Sequence, residues 1–406
     1  MPWLCPECAS FNEDALARCV CGHEIDSKNR ESYIFIPEAD KHKESDRDTQ
    51  GQPREMALAF RGSAREYFRI WIVNLCLTLL TAGIFSAWAK VRKKRYFYSH
   101  IILDGTPFQY LGLPIPILKG RIIAAAAFAV YYMSSHFFTS LMPYILVAGT
   151  ILAPWVVIRS AAFNARYSSF RNMTFSFEGG YKDALKEIYA WGLIPGLVVV
   201  GMILSLRGKF AVAGILFAVF GLAFPWWIRR FKNFIISNTS YGGRNGEFSA
   251  TGRQFLNIYW SAGFIAMGIG IVSAIAVFGI FSFLKESQFL FLTVAPFYFG
   301  YVLAYAYVQA HGTNLVWNNI RLGSLRFQST LRFGGMTKLY LTNAVAIIAS
   351  AGLLIPWAVI RTLKYRADRL QVVREGDIAG FEGRETGAVR AVGSEMGDFF
   401  DMDISL

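Results

Sequence analysis

The stretch Gly83-Ile-Phe-Ser-Ala-Trp88-Ala-Lys-Val-Arg92-Lys-Lys-Arg95-Tyr96-Phe-Tyr98 closes an apolar helix with tryptophan, arginine and an aromatic residue at four-residue intervals. The chain then runs into a turn signal at Asp104-Gly105. The same unit recurs as Trp155, Arg159, Phe163, as Trp226, Arg230, Phe234 and as Trp357, Arg361, Tyr365, with Pro154, Pro225 and Pro356 preceding those tryptophans. A weaker copy reads Tyr307, His311, Leu315. A recurring unit is one piece of supersecondary structure that buries its apolar face only against its neighbours. The sequence therefore predicts a mainly α-helical membrane protein of about five tandem units, each a helix pair followed by a cytoplasmic β-hairpin.

Composition agrees with a polytopic membrane protein. Of 406 residues, 54% are hydrophobic and 17% charged. The apolar runs 193–206, 210–228, 261–284 and 289–310 approach or reach the ~20 residues that cross a bilayer. The first 25 residues are polar and hold four cysteines, which is not a secretory leader. The net charge of +13 sits in loops after the second helix of each pair, whereas the turns near Ser140, Gly208 and Glu286 are nearly neutral. By the positive-inside rule the hairpin side is cytoplasmic. The charge is assigned to orientation and to anionic lipid headgroups rather than to nucleic acid, and no nucleic-acid partner is expected.

Residues 1–25 carry Cys5-Pro-Glu-Cys8 and Cys19-Val-Cys21-Gly22-His23. Two close thiolate pairs suit tetrahedral zinc, and four thiolates leave no open position, so Cys5, Cys8, Cys19 and Cys21 form a structural zinc ribbon. The second pair is C-x-C where C-x-x-C is usual, which leaves room for His23 in place of one cysteine. Residues 26–55 form a flexible linker with one possible strand at 33–36. Cys76, inside an apolar helix, is expected to be an inert core residue.

The repeat domain occupies 56–370, and 371–406 forms a closing strand and an acidic tail. Units open with strand-like runs ending in F-x-G: Phe60-Arg61-Gly62, Phe177-Glu178-Gly179, Phe333-Gly334-Gly335 and Phe381-Glu382-Gly383, with looser versions at Gly112 and Gly252. Turn signals stand at Asp104-Gly105, Asn172, Asn245-Gly246 and Glu375-Gly376. Phe108, Phe175 and Phe327 each follow Trp88, Trp155 and Tyr307 at the same distance. Five hairpins on one face are expected to join into a sheet.

Three helix pairs cover 119–163, 184–235 and 254–312. The flanking segments 66–98 and 337–366 align with each other, Asn74 with Asn343, Gly83 with Gly352, Trp88 with Trp357 and Arg92 with Arg361. Basic residues at both ends of both segments point to re-entrant helical hairpins breaking near Gly83 and Gly352. Six spans with both termini cytoplasmic follow; eight simple spans are the alternative. Such breaks are tolerated at membrane depth where protein or water covers the freed backbone.

Glu66-Tyr-Phe-Arg-Ile-Trp-Ile-Val-Asn74, the opening stretch and Asp104-Gly105 together resemble the YjgN-like inner membrane proteins, over about 56–406. The resemblance implies a bacterial inner-membrane location. It supplies neither an activity nor catalytic residues, and the zinc ribbon stands outside it.

The apolar runs contain no Asp, Glu, Lys or Arg at their middles, which argues against a carboxylate-based proton carrier. His136 and His311 fall near helix ends and read as packing or interfacial residues. Asn74 and Asn343 line a central pathway or hydrogen-bond neighbouring helices. Trp88, Arg92, Trp155, Arg159, Trp226, Arg230, Trp357 and Arg361 read as bilayer-interface anchors, or else as an arginine ring for an anionic lipid or solute. Asp398, Asp401 and Asp403 belong to a solvated acidic tail. No hydrolase, zincin or P-loop signature occurs, so no enzyme is expected. The first functional expectation is a scaffold or sensor whose hairpins and ribbon dock a cytoplasmic protein. The alternative is a transporter or channel for a lipid or small solute.

Overall fold

The computed structural model describes residues 54–188, 193–283 and 290–375, with three two-residue strands nearer the N-terminus. Those strands, β1 (Trp3–Leu4), β2 (Phe11–Asn12) and β3 (Ile34–Phe35), form a small antiparallel sheet with β1 in the middle. The four ribbon cysteines, His23, the remainder of the linker and the chain from Gly376 onward, with its Phe381-Glu382-Gly383, lie outside the described residues.

From Arg54 the chain alternates short strands with helical hairpins. β4 (Arg54–Met56) and β5 (Leu58–Phe60) lead into α1 (Ala64–Leu80) and α2 (Ser86–His100). β6 (Ile101–Leu103) and β7 (Thr106–Tyr110) precede α3 (Pro114–Phe137) and α4 (Met142–Tyr167). β8 (Ser168–Phe170) and β9 (Met173–Phe177) precede α5 (Tyr181–Glu187), α6 (Leu193–Leu206) and α7 (Phe210–Ser237). β10 (Thr239–Tyr241) and β11 (Arg244–Phe248) lead to α8 (Gly252–Phe283) and α9 (Leu290–Asn318). Last come β12 (Ile320–Leu322), β13 (Leu325–Ser329), α10 (Phe333–Ala349), α11 (Ile355–Ala367) and β14 (Leu370–Arg374).

The strands do not make an open sheet. Their order runs from β4 through β14, β13 and so on down to β6 and β5, and β4 and β5 are separated in the chain by Ala57 alone. The segment 54–60 therefore pairs on one side with β14 and on the other with β6, and the sheet closes into a ring. The fifth hairpin is non-local: Met56 pairs with Val372, Glu55 with Val373 and Arg54 with Arg374. Closure removes both free edges, which would otherwise invite pairing with another chain. It also explains why the N-terminal strand carries no partner hairpin of its own.

Every helical hairpin leaves and returns to the same rim of this ring. Its base is closed by a strand pair, Phe60 with Ile101, Tyr110 with Ser168, Phe177 with Thr239, Phe248 with Ile320 and Ser329 with Leu370. The opposite rim carries the tight turns. Asp104-Gly105, Arg171-Asn172 and Gly242-Gly243 all have positive φ at both central residues, as two-residue hairpins that follow the strand twist require. The third turn is thus Gly242-Gly243 rather than the expected Asn245-Gly246. Gly246 serves a different need: a Cβ there would sit 2.5 Å from the Ile236 carbonyl oxygen.

The aromatic-x-glycine pattern also has a packing cause. The ring of Phe60 lies over Gly62, that of Tyr110 over Gly112 and that of Phe177 over Gly179, each where a Cβ would stand. Phe333-Gly334-Gly335 departs from the expected strand end; it forms the first turn of α10, and Gly335 makes room for the Tyr365 hydroxyl.

Both flanking segments break where glycine stands. Residues 81–85 and 350–354 form the same turn, with Gly83 at φ +91° and Gly352 at φ +90°. Thr81 Oγ1 accepts from the Phe85 amide (2.9 Å) and Ser350 Oγ from the Leu354 amide (3.0 Å). The expected helix pair 184–235 opens with the separate short helix α5. Cys76 is exposed on α1, not in the core. Among the described residues, helices 114–137, 139–167, 210–237 and 252–275 are long and apolar enough to cross a membrane. Their outward faces expose Ile122, Phe128, Leu152, Ile215, Leu222 and Phe264.

Candidate functional site: a basic cleft beside the ring lumen

Period-two alternation points one face of each strand into the ring. Met56, Leu103, Phe108, Phe170, Tyr241, Leu325 and Val372 meet there as one buried cluster, with Phe175 and Phe327 packed against it. The equally spaced Phe108, Phe175 and Phe327 of the sequence thus serve the ring interior. About eight strands close a barrel that its side chains fill, whereas a wider ring leaves space. Here cavities of about 260 and 110 Å³ remain in the lumen.

A larger cavity of about 610 Å³ stands on the helix-bearing rim, between α2 on one side and α10 and α11 on the other. Its α2 wall carries Lys90, Lys93, Lys94 and Phe97, and its α11 wall Val359, Thr362, Leu363 and Arg366. These two sets occupy equivalent positions in the aligned segments, so the cleft lies between repeat-related faces. The equivalence is structural and not electrostatic: Val359, Thr362 and Leu363 are uncharged where Lys90, Lys93 and Lys94 are cationic, and Arg366 faces from the position of Phe97. Among the described residues no aspartate or glutamate lines the cleft.

Three of these cations, Lys90, Lys94 and Arg366, are held in place. Lys90 and Lys94 are each 9% exposed. Lys94 Nζ donates to Asn164 Oδ1 at 3.1 Å and lies 5.5 Å from the Tyr110 ring centre. Arg366 donates to Gln309 Oε1 (2.9 Å) and to the Tyr340 hydroxyl (3.1 Å), while its buried Nε has no hydrogen-bond partner. Buried charge is costly unless paired. Lys90 and Lys94 accordingly have partners within the chain, Lys93 is exposed, and the four cations together make the cleft basic.

The asparagines of the aligned segments part company. Asn343 lines the cleft and donates to the Ala358 carbonyl (3.3 Å) and Thr362 Oγ1 (3.1 Å), and its Oδ1 accepts from Arg361 at 3.2 Å. Asn74 makes the equivalent bond to the Ala89 carbonyl at 3.5 Å, but its buried Oδ1 has no partner and it does not line the cleft.

Trp155, Trp226 and Trp357 stand exposed on the outer surface, while Pro154, Pro225 and Pro356 beside them are fully buried. The arginines stack on them: Arg159 lies 5.9 Å from the Trp155 ring, Arg230 4.5 Å from Trp226 and Arg361 5.1 Å from Trp357. Trp88 is half-buried and Arg92 exposed. These residues form no single ring around the cleft. Phe163, Phe234 and Tyr96, one turn further, are buried.

Sequence reasoning missed Lys90, Lys93, Lys94 and Arg366 as a group, reading the lysines as loop charge. The signal was their i, i+3, i+4 spacing, continued by Phe97 at i+7, which marks one face of α2. That face is distinct from the one carrying Trp88 and Arg92.

Helical hairpins planted on a closed strand ring, with a basic cleft beside its lumen, define a polytopic helical membrane protein. The chain belongs to the family described as bacterial protein of unknown function (DUF898), which matches residues 55–399. It is similar to the inner membrane protein YjgN of Salmonella typhimurium, 24% identical over 366 residues that cover 80% of this chain and 90% of the relative. It is likewise similar to YjgN of Escherichia coli, 23% identical over 365 residues covering 79% and 89%. No solved structure matches. The family match bears out the resemblance read from the sequence. Its start at residue 55 coincides with the first strand of the ring and leaves the cysteine-bearing segment outside.

Proposed function

We propose that the protein is a non-enzymatic transporter of the bacterial inner membrane that takes an anionic ligand into the cleft between α2 and the α10–α11 hairpin. The carrying observation is the lining itself: Lys90, Lys93, Lys94 and Arg366 converge on one cleft of about 610 Å³ whose other described lining residues are uncharged. The return of all five helical hairpins to one rim supports six spans with α1–α2 and α10–α11 re-entrant, and both termini and the ring on the cytoplasmic side. The outward Trp–Arg stacks suit anchoring to anionic headgroups. Zinc held by Cys5, Cys8, Cys19 and Cys21 is structural in this reading.

Reconstitution tests the proposal. Vesicles of phosphatidylcholine containing the purified protein should move a fluorescent phosphatidylglycerol between leaflets faster than empty vesicles. Changing Lys90 and Lys94 together to Gln should lower that rate at least tenfold. Unaltered movement in the variant would sink the cleft as the path.

Docking of a cytoplasmic protein stands as a second reading. What favours it is the junction at Arg54, where the segment carrying the cysteines meets the closing strand of the ring. A partner bound by the ribbon would be held at the turn-bearing rim. Stoichiometric capture of one protein by the wild type, lost on changing Cys5 and Cys8 to Ser, together with absent transport, would favour it.

A further inference from the structure

We infer that the phosphate-bearing headgroup of a bilayer phospholipid enters the protein sideways along a ladder of tyrosine hydroxyls on α9, Tyr298, Tyr301 and Tyr305, which ends at the cleft residue Tyr340. The inference rests on the cleft being an anion site, as proposed above, and adds the class of the ligand and its route.

The ladder is peculiar to one unit. Tyr305 meets Tyr340 of α10 with ring centres 5.3 Å apart, and 81 residues earlier Phe224 of α7 meets Tyr259 of α8 at 5.4 Å. The two interfaces are one repeated contact. Further from the ring, α7 carries Phe220 and Phe217 where α9 carries Tyr301 and Tyr298. Phenylalanine serves all three positions on α7, so aromatic packing alone does not call for the hydroxyls of α9. Cover differs as well. α10 stops at Ala349, whereas α8 runs on for fifteen residues past the equivalent Gly268. Tyr305, Tyr301 and Tyr298 are 42%, 64% and 70% exposed, against 39% for Phe217.

Depth gives those hydroxyls a meaning. Tyr307 stands where Trp155, Trp226 and Trp357 stand in their units, and packs against His311 as those tryptophans pack against arginine. Tryptophan and tyrosine favour the headgroup level. Tyr298 lies nine residues beyond Tyr307. At about 1.5 Å per residue that is about 14 Å along the helix, close to the middle of a hydrocarbon layer about 30 Å thick. A hydroxyl exposed at that depth is costly without a partner, and phosphate oxygens are strong acceptors for it. Val345 and Ile348 on the neighbouring α10 are exposed and apolar, a surface for the acyl chains.

The ring-side end of the ladder meets charge. Arg366 donates to the Tyr340 hydroxyl at 3.1 Å, and both residues line the cleft. From Tyr305 the rungs continue by ring contacts of 6.1 Å to Tyr301 and 6.4 Å from there to Tyr298. One series of contacts thus runs from a cleft cation to the middle of the span.

Two measurements on the full-length protein test this. Changing Tyr298, Tyr301 and Tyr305 together to Phe gives α9 the pattern of α7 and keeps the aromatic packing. In phosphatidylcholine vesicles this variant should move fluorescent phosphatidylglycerol between leaflets at least tenfold more slowly than the wild type. In phosphatidylglycerol nanodiscs, p-benzoylphenylalanine in place of Tyr298 should on irradiation attach to the headgroup or glycerol of the lipid, whereas in place of Phe217 it should attach to acyl chains. The same attachment at both positions overturns the ladder. So does full speed in the triple variant while Lys90→Gln with Lys94→Gln still slows movement, a result that leaves the cleft standing. Full speed in both variants overturns the cleft and this inference with it. Lysine-dependent uptake of inorganic phosphate by the wild type, with no movement of phosphatidylglycerol, overturns the lipid class and leaves the anion site in place.

Discussion

Met56 and Val372 lie opposite each other across the seam that joins the beginning and end of the ring, 3% and 2% exposed. Both point into the lumen cluster with Leu103 and Leu325. The seam is the strand contact of the ring that neither a tight turn nor a helical hairpin connects, so its stability depends on packing. Met56→Ala should cost about 2–4 kcal/mol, the range for truncating a buried apolar side chain. Thermal unfolding of the purified protein measures this. A similar truncation at exposed Leu79 on α1 should be neutral, and equal effects at both positions would refute the ring as a structural unit.

That seam marks the limit of what local sequence discloses. Gly83 and Gly352 announce their breaks because few other residues adopt their backbone conformation, and Asp104-Gly105 announces its hairpin for the same reason. These signals act over a few residues. The pairing of Met56 with Val372 joins opposite ends of the chain, and nothing near either residue encodes it. β14 has β13 on one side and β4 on the other, and the turn expected at Glu375-Gly376 runs beyond the described residues. The cleft was hidden likewise. Lys90, Lys93 and Lys94 are adjacent in sequence, but Tyr340 and Arg366 reach them only through the closure that brings the last unit beside the first.

The two matched turns give paired predictions. Gly83→Ala and Gly352→Ala should each cost about 1–2 kcal/mol, since both residues sit at positive φ and a Cβ would meet nothing at Gly83 and only an ordinary contact with Ile355, at 3.6 Å, at Gly352, so that backbone conformation opposes a side chain. Ala82 and Ala351 stand at φ +47° and +50° without glycine's freedom. Ala82→Gly and Ala351→Gly should therefore stabilise by about 0.5–1 kcal/mol, the strain relieved less the added freedom of the unfolded chain. Unfolding temperatures that move the same way for both substitution types would contradict this.

Asn343 and Asn74 test whether equivalent positions share an energetic role. Removing Asn343 takes away two donated bonds and the acceptor of Arg361, so Asn343→Ala should cost about 2–3 kcal/mol at near 1 kcal/mol for each. Asn74 contributes one long bond and an unpartnered oxygen, so Asn74→Ala should cost less than about 1 kcal/mol. A double-mutant cycle of Asn343→Ala with Arg361→Lys should show coupling, and additivity would mean that the observed contact carries no energy.

His100 ends α2 at the ring rim, outside the spanning segments, and predicts an acid-sensitive step. Its Nδ1 meets the Tyr96 carbonyl at 2.7 Å, its Nε2 is buried without a hydrogen-bond partner, and Glu66 lies 3.9 Å away. Burial lowers its pKa from the ordinary 6.5, against the opposing pull of the Tyr96 carbonyl and Glu66. The unfolded chain therefore binds the proton more readily than the fold does. The stability so gained is complete above about pH 6.5 and is lost as pH falls from there toward the depressed folded value. Between pH 7.5 and 5.5 the wild type should lose more thermal stability than His100→Asn, whose amide retains the bond to the Tyr96 carbonyl but does not titrate. Glu66→Gln removes the one carboxylate facing His100 and should deepen the acid loss of the wild-type histidine. Parallel melting profiles for wild type and His100→Asn would show that the histidine is already at ease with a proton in the fold.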